Sequence, residues 1–122
     1  MQPTEDGYVT WGKYRTYYKV VGKQVDKNKL PLLVLNGGPG SSHDYLLDLR
    51  LLAENGRQVI FYDSVGCGRS DRPDDDSLWT IGFFIQEIDA IRKELKLKAV
   101  HILGHSWGGM LAIEYLLTKP SG

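Results

Sequence analysis

Three short apolar runs dictate most of what this chain can fold into. Leu32-Leu33-Val34-Leu35, Val59-Ile60-Phe61-Tyr62 and Ala99-Val100-His101-Ile102-Leu103 are unbroken rather than alternating. That is the pattern of strands covered on both faces, as in parallel sheets. Helical patterns separate them. Ser41 or Ser42 can cap a helix carrying Leu46, Leu47, Leu49 and Leu52, ended by Asn55-Gly56. Thr80 can cap a second, with Ile81, Phe84, Ile88, Ile91 and Leu95 three and four residues apart. An ion pair between Asp89 and Lys93 is expected on its outer side. A third helix runs from Ser106 to about Thr118, where Lys119-Pro120 stops it. Met110, Leu111, Ile113, Tyr115, Leu116 and Leu117 make that helix apolar almost all round, so it is expected to be buried. Ahead of all this, residues 8–11 and 14–21 are rich in aromatic and β-branched side chains and flank Gly12-Lys13, which reads as a hairpin. The polar residues 22–29 read as a loop. A hairpin followed by strand and helix three times over is an α/β chain with a doubly wound, mostly parallel sheet. At 122 residues there is room for one core.

Chemistry concentrates in Gly104-His105-Ser106-Trp107-Gly108-Gly109. It fits G-x-S-x-G, directly after an apolar run and at the start of a helix, the placement that a nucleophile elbow requires. A chain reversing from strand to helix so tightly forces its central residue into a strained conformation. Glycine at 104 and 108 removes β-carbons that would collide across the turn. Ser106 is therefore the expected nucleophile of an α/β-hydrolase fold. Helix amides behind it favour developing negative charge. Such a site takes one oxyanion amide from the residue after the nucleophile, here Trp107, and a second from the loop after an earlier strand. That loop is Asn36-Gly37-Gly38-Pro39-Gly40, and Gly38 is the expected donor. Both loops follow the carboxyl ends of parallel strands and should meet at one crevice. A further motif, Tyr62-Asp63-Ser64-Val65-Gly66-Cys67-Gly68-Arg69-Ser70-Asp71, reads as a well-bonded turn in which Asp63 and Arg69 tie down the backbone. Cys67 lacks a basic neighbour and reads as a packed small side chain.

The order G-G-P-G, then D-x-x-G-C-G-R-S-D, then G-H-S-W-G-G resembles the proline iminopeptidase (prolyl aminopeptidase) family, serine peptidases of α/β-hydrolase fold. The resemblance extends from about Tyr8 to the last residue. It implies removal of an N-terminal residue, often proline, from short peptides without a metal or other cofactor. Ser106 would match the family nucleophile, and Gly38 and Trp107 its oxyanion donors. One position departs: the family usually has His before G-G-P-G, where this chain has Asn36, an amide that can bond within the loop but carries no charge. Esterases, lactonases and amidases share the same elbow. Ser rather than Asp at 106 argues against epoxide hydrolases and dehalogenases.

A nucleophilic serine needs a base oriented by an acid, which this fold supplies downstream in the order Ser, Asp or Glu, His. Sixteen residues follow Ser106, with Glu114 their one acid and no His among them. His101 is expected to be a core imidazole within its strand. His105 should point away from the Ser106 hydroxyl, and His43 could serve as base only in a different architecture. The expectation is an amino-terminal part, residues 1–122, of a single α/β-hydrolase domain whose remaining strands, acid, base and cap are absent. Its last strand would be an exposed edge. A second reading, a non-catalytic module binding a partner through that edge, has no need of a strained serine. Fifteen basic residues balance fifteen acidic ones, so neither nucleic acid nor a membrane surface is an expected partner; a peptide or a small amide or ester is. No apolar segment has the length to span a bilayer. One cysteine precludes an internal disulfide, no metal cluster is apparent, and the start is unlike a signal peptide, so a cytoplasmic place is expected.

Overall fold

In the computed structural model, which describes residues 4–25, 28–38 and 41–122 (Asn55 by its backbone alone), five strands form one mixed sheet. Strands β1 (Thr4–Trp11) and β2 (Tyr14–Val21) make an antiparallel hairpin around Gly12, whose φ of +57° suits glycine. Strands β3 (Leu32–Leu35), β4 (Val59–Asp63) and β5 (His101–Gly104) follow. The order across the sheet is β1-β2-β4-β3-β5, with β4 antiparallel to β2 and parallel to β3, and β5 parallel to β3.

Every residue of β3 and β4 is buried, as their unbroken apolarity implies. Leu33, Leu35, Ile60 and Tyr62 face helices α1 (Ile81–Glu94) and α2 (Trp107–Leu117), joined by Phe84, Ile88, Ile91, Leu111 and Tyr115. Leu32, Val34, Val59 and Phe61 face the opposite layer, where residues His43–Asn55 pack through Leu46, Leu47, Leu49 and Ala53. That segment is a 3₁₀ helix rather than an α-helix. Its three-residue repeat sets His43, Leu46 and Leu49 in one line towards the sheet. Ser42 is its cap and Gly56, at φ +86°, its end. The Thr80 hydroxyl accepts from Phe83 N–H at 3.1 Å and starts α1.

Three expectations fail. β5 lies at the edge of the sheet, so His101 is exposed rather than a core imidazole. Helix α2 buries Gly108, Leu111 and Tyr115, whereas Met110, Ile113, Leu116 and Leu117 are exposed at 60%, 61%, 58% and 69%. Its outer face has nothing over it among the described residues. On α1, Asp89 accepts a hydrogen bond from the Tyr115 hydroxyl at 3.0 Å instead of pairing with Lys93. The two helices are thereby tied to each other.

Candidate active site

Ser106 stands between the last residue of β5 and the first turn of α2, with φ +56° and ψ −117°. A non-glycine residue there is strained by about 1–3 kcal/mol. The turn closes through Gly108 N–H to the His105 carbonyl and Gly109 N–H to the Ser106 carbonyl, both 2.9 Å. Its tightness is visible at the glycines. A β-carbon on Gly104 would stand 2.4 Å from the Gly108 carbonyl oxygen, and one on Gly108 would stand 2.1 Å from that of Leu35. Trp107 opens α2, so its N–H has no carbonyl one turn back in the helix to receive it.

The loop after β3 lies alongside. His105 N–H donates to the Leu35 carbonyl at 3.1 Å, joining the two turns. Gly37 N–H donates to the Tyr45 hydroxyl. That leaves the hydroxyl hydrogen for His105 Nδ1, 2.9 Å away, so His105 does point elsewhere than at Ser106. Gly38 is exposed with φ +121°. Pro39 and Gly40 lie outside the described residues. Asn36 Nδ2 donates to the Tyr62 carbonyl of β4 at 2.8 Å, to the neighbouring strand rather than within its own loop as expected, while its Oδ1 is buried without a partner. Tyr45 belongs to no motif in the sequence.

A cavity of about 530 Å³ opens between these loops. Asn36, Gly37, Ser64, Trp79, Phe84 and Trp107 are among its walls; Gly38 and Ser106 are not. Phe84 meets the Trp107 ring edge-on at 5.8 Å and stacks with Trp79 at 6.1 Å, which makes one side aromatic.

The segment after β4 explains its own composition. Asp63 is fully buried; its carboxylate accepts from His43 N–H at 2.7 Å, His43 Nδ1–H at 2.8 Å and Arg69 N–H at 3.0 Å. Burial pushes that carboxyl up, but the His43 ring and the two backbone donors outweigh it and hold it below its ordinary 3.8. Gly68, at φ +55°, passes so close to Asp63 that a β-carbon would fall 2.2 Å from its oxygen. The Ser70 hydroxyl donates to the Asp63 carbonyl and accepts from Tyr17 N–H, and Asp71 takes Arg15. Asp63 ties down the backbone as expected, but the Arg69 side chain does not: only its N–H joins, while its guanidinium lies over the Tyr17 ring at 5.1 Å. Cys67 is buried, and burial pushes its thiol up to about 12, which suits a packed side chain and not a nucleophile.

His43 and Asp63 look like the base and acid of a triad, but the other ring nitrogen of His43 is buried 3.5 Å from Asp44 and hydrogen-bonded to nothing. Among the described residues no imidazole is hydrogen-bonded to Ser106. Glu114 is exposed on α2.

Asp63 has a measurable consequence. Asp63→Asn should cost at least about 3 kcal/mol at neutral pH, because an amide cannot accept from three N–H groups at once. Since the folded-state value is lowered, the native carboxylate's contribution is complete above about pH 4 and is lost as pH falls through the folded value. Denaturant titrations from pH 7 to pH 2 should show this acid loss in the native protein and a flatter profile in the variant. Equal stabilities at pH 7 would contradict the role.

A family model described as alpha/beta hydrolase fold matches residues 31–122. The chain is 48% identical over 118 residues to a proline iminopeptidase of Clostridium botulinum, covering 96% of this chain and 40% of that one. It is 58% identical over 92 residues to a proline iminopeptidase of Heyndrickxia coagulans, covering 75% of this chain and 32% of the relative. The crystal structure of the proline iminopeptidase of Mycobacterium smegmatis superposes with a TM-score of 0.91 at 38% identity, covering 95% of this chain and 40% of that one. The chain thus covers 32–40% of the length of these relatives.

Proposed function

From the premise that the chain belongs to the alpha/beta hydrolase fold family, we propose that it forms the amino-terminal part of a serine aminopeptidase releasing N-terminal residues, proline by preference. The observation that carries this reading is Ser106 at positive φ on a strand-to-helix turn. Such strain persists only where the surroundings enforce it, and it lifts the hydroxyl clear of the backbone. In the proposed reaction Ser106 Oγ adds to the scissile amide carbon while a histidine from the remainder of the protein takes its proton. The amides of Trp107 and Gly38 then meet the oxyanion. Gly38 gains support from its neighbour, since the Gly37 N–H is already committed to Tyr45. The aromatic cavity beside Trp107 suits a compact apolar residue such as proline. An esterase, lactonase or amidase would use the same groups with a different pocket.

The test is a substrate profile of the full-length protein. Release of proline from a proline amide should exceed release from other aminoacyl amides and hydrolysis of simple esters, and residues 1–122 alone should match their own Ser106→Ala control. Ester hydrolysis without aminopeptidase activity would favour the alternative. Activity of residues 1–122 above that control would overturn the view that base and acid lie elsewhere.

A further inference from the structure

Glu87 belongs to no motif, yet it is a fully buried carboxyl on the apolar side of α1, between Phe84 and Ile91. One oxygen, Oε2, accepts from the Thr16 hydroxyl and from Val65 N–H, each at 2.7 Å. Thr16 in turn accepts from the Trp11 indole N–H at 2.9 Å. The other oxygen, Oε1, is buried without a hydrogen-bond partner. The carboxyl therefore joins α1 and the hairpin to Val65, and Ser64, Val65, Gly66 and Cys67 are consecutive walls of the cavity.

We propose that Glu87 is a proton-sensitive positioning residue: the charge on its carboxyl sets how firmly residues 64–67 are held, and so how tightly the cavity grips its ligand. The inference rests on the cavity being the substrate pocket of the proposed aminopeptidase. Ionised, Glu87 gives Val65 N–H a charge-assisted bond; protonated, it gives a weaker neutral one. The titratable groups acting on it are Asp63, Tyr62 and Cys67, all anionic when ionised, so none of them holds the charge in place. Burial pushes Glu87 up to about 7 against the hydrogen bonds from Thr16 and Val65, so the change falls near neutrality.

Two measurements on the full-length protein and on Glu87→Gln test this. The glutamine keeps an acceptor for Thr16 and Val65 but cannot ionise. The first is tryptophan emission against pH, with Trp11 two hydrogen bonds from the carboxyl. The native protein should show a transition near pH 7 that Glu87→Gln lacks. The second is turnover of a proline amide from pH 6 to 8.5. Native KM should rise about fivefold as pH falls through 7, the ratio between charged and neutral hydrogen bonds. The Glu87→Gln KM should stay at the high value throughout, with kcat changed little. An emission transition that survives in Glu87→Gln, or a KM that keeps its native pH profile there, overturns the proposal. If the native protein turns over no amide, the aminopeptidase reading has failed, and the emission arm, which needs no substrate, decides whether Glu87 is the sensor.

Discussion

In the full-length protein, Ser106→Ala should abolish turnover of a proline amide, lowering kcat by about five to six orders of magnitude, while the fold stays intact. The paired variant is the more discriminating one. Ser106→Gly should be equally inactive yet more stable than the native protein. Ser106 holds φ +56° and ψ −117°, a region where a β-carbon is penalised by about 1–3 kcal/mol and glycine is not. Against this stands about 0.5–1 kcal/mol for the extra freedom glycine has when unfolded. A net gain on the order of 1 kcal/mol should appear as a higher denaturant midpoint with an unchanged slope. Alanine keeps the β-carbon and hence the strain, so it should show no such gain. Together the two variants separate what the serine does from where it sits. Covalent labelling by a phosphonate, present in the native protein and absent in both variants, checks the chemistry directly. A Ser106→Ala protein retaining about a tenth of native turnover would remove Ser106 from the reaction. A Ser106→Gly protein less stable than Ser106→Ala would show that the turn is not strained.

The same division, between what a position does and what it touches, explains how far the sequence could be read. Strands β3 and β4 were legible because both faces of each are covered within these residues, so unbroken apolarity and observed burial agree. β5 and α2 carry the same apolar signal, but the cover it anticipates is not among the described residues. His101 and Met110 consequently meet solvent. Relatives more than twice as long fit this account. The turn at Ser106 was legible because steric exclusion leaves few residue types able to make it. Asp63 was legible as a tether, though not the partner it found in His43, twenty residues away, since hydrogen bonds of that kind leave no periodic trace. Tyr45 was invisible for the same reason. Glu87 did leave a signal. An acid three residues after Phe84 and four before Ile91 falls on the apolar stripe of its helix. A charged residue in such a position must be paired or have its proton affinity changed by burial.

Replacing Gly108 by alanine should cost the fold itself. The added β-carbon would lie 2.1 Å from the Leu35 carbonyl oxygen and 2.6 Å from that of Asn36, far inside contact distance. Neither oxygen can yield cheaply. Leu35 ends β3, which is hydrogen-bonded to strands on both sides, and its carbonyl also receives His105 N–H. Relief would require α2 to retreat from the sheet, dragging Leu111 and Tyr115 out of the core they share with Leu33 and Ile60. Overpacking of flexible side chains costs about 1–3 kcal/mol, and overlap between two backbones should exceed that. Against a domain stability of about 5–15 kcal/mol, little soluble protein should remain. Gly109→Ala provides the control. Its β-carbon meets nothing nearer than the Gly104 carbonyl at 3.5 Å, an ordinary contact. Alanine in a helix is worth up to about 1 kcal/mol over glycine, so that variant should be at least as stable as the native protein. Soluble yield and denaturant midpoint of the two variants decide the matter, and equal values would mean that α2 does not rest on the end of β3. If Gly108→Ala is recovered folded, its helix has moved, and with it the Trp107 amide relative to Gly38. In the proposed reaction, where that amide meets the oxyanion, turnover should then fall well beyond what the loss of stability explains, since a misplaced oxyanion donor costs about 100- to 1000-fold.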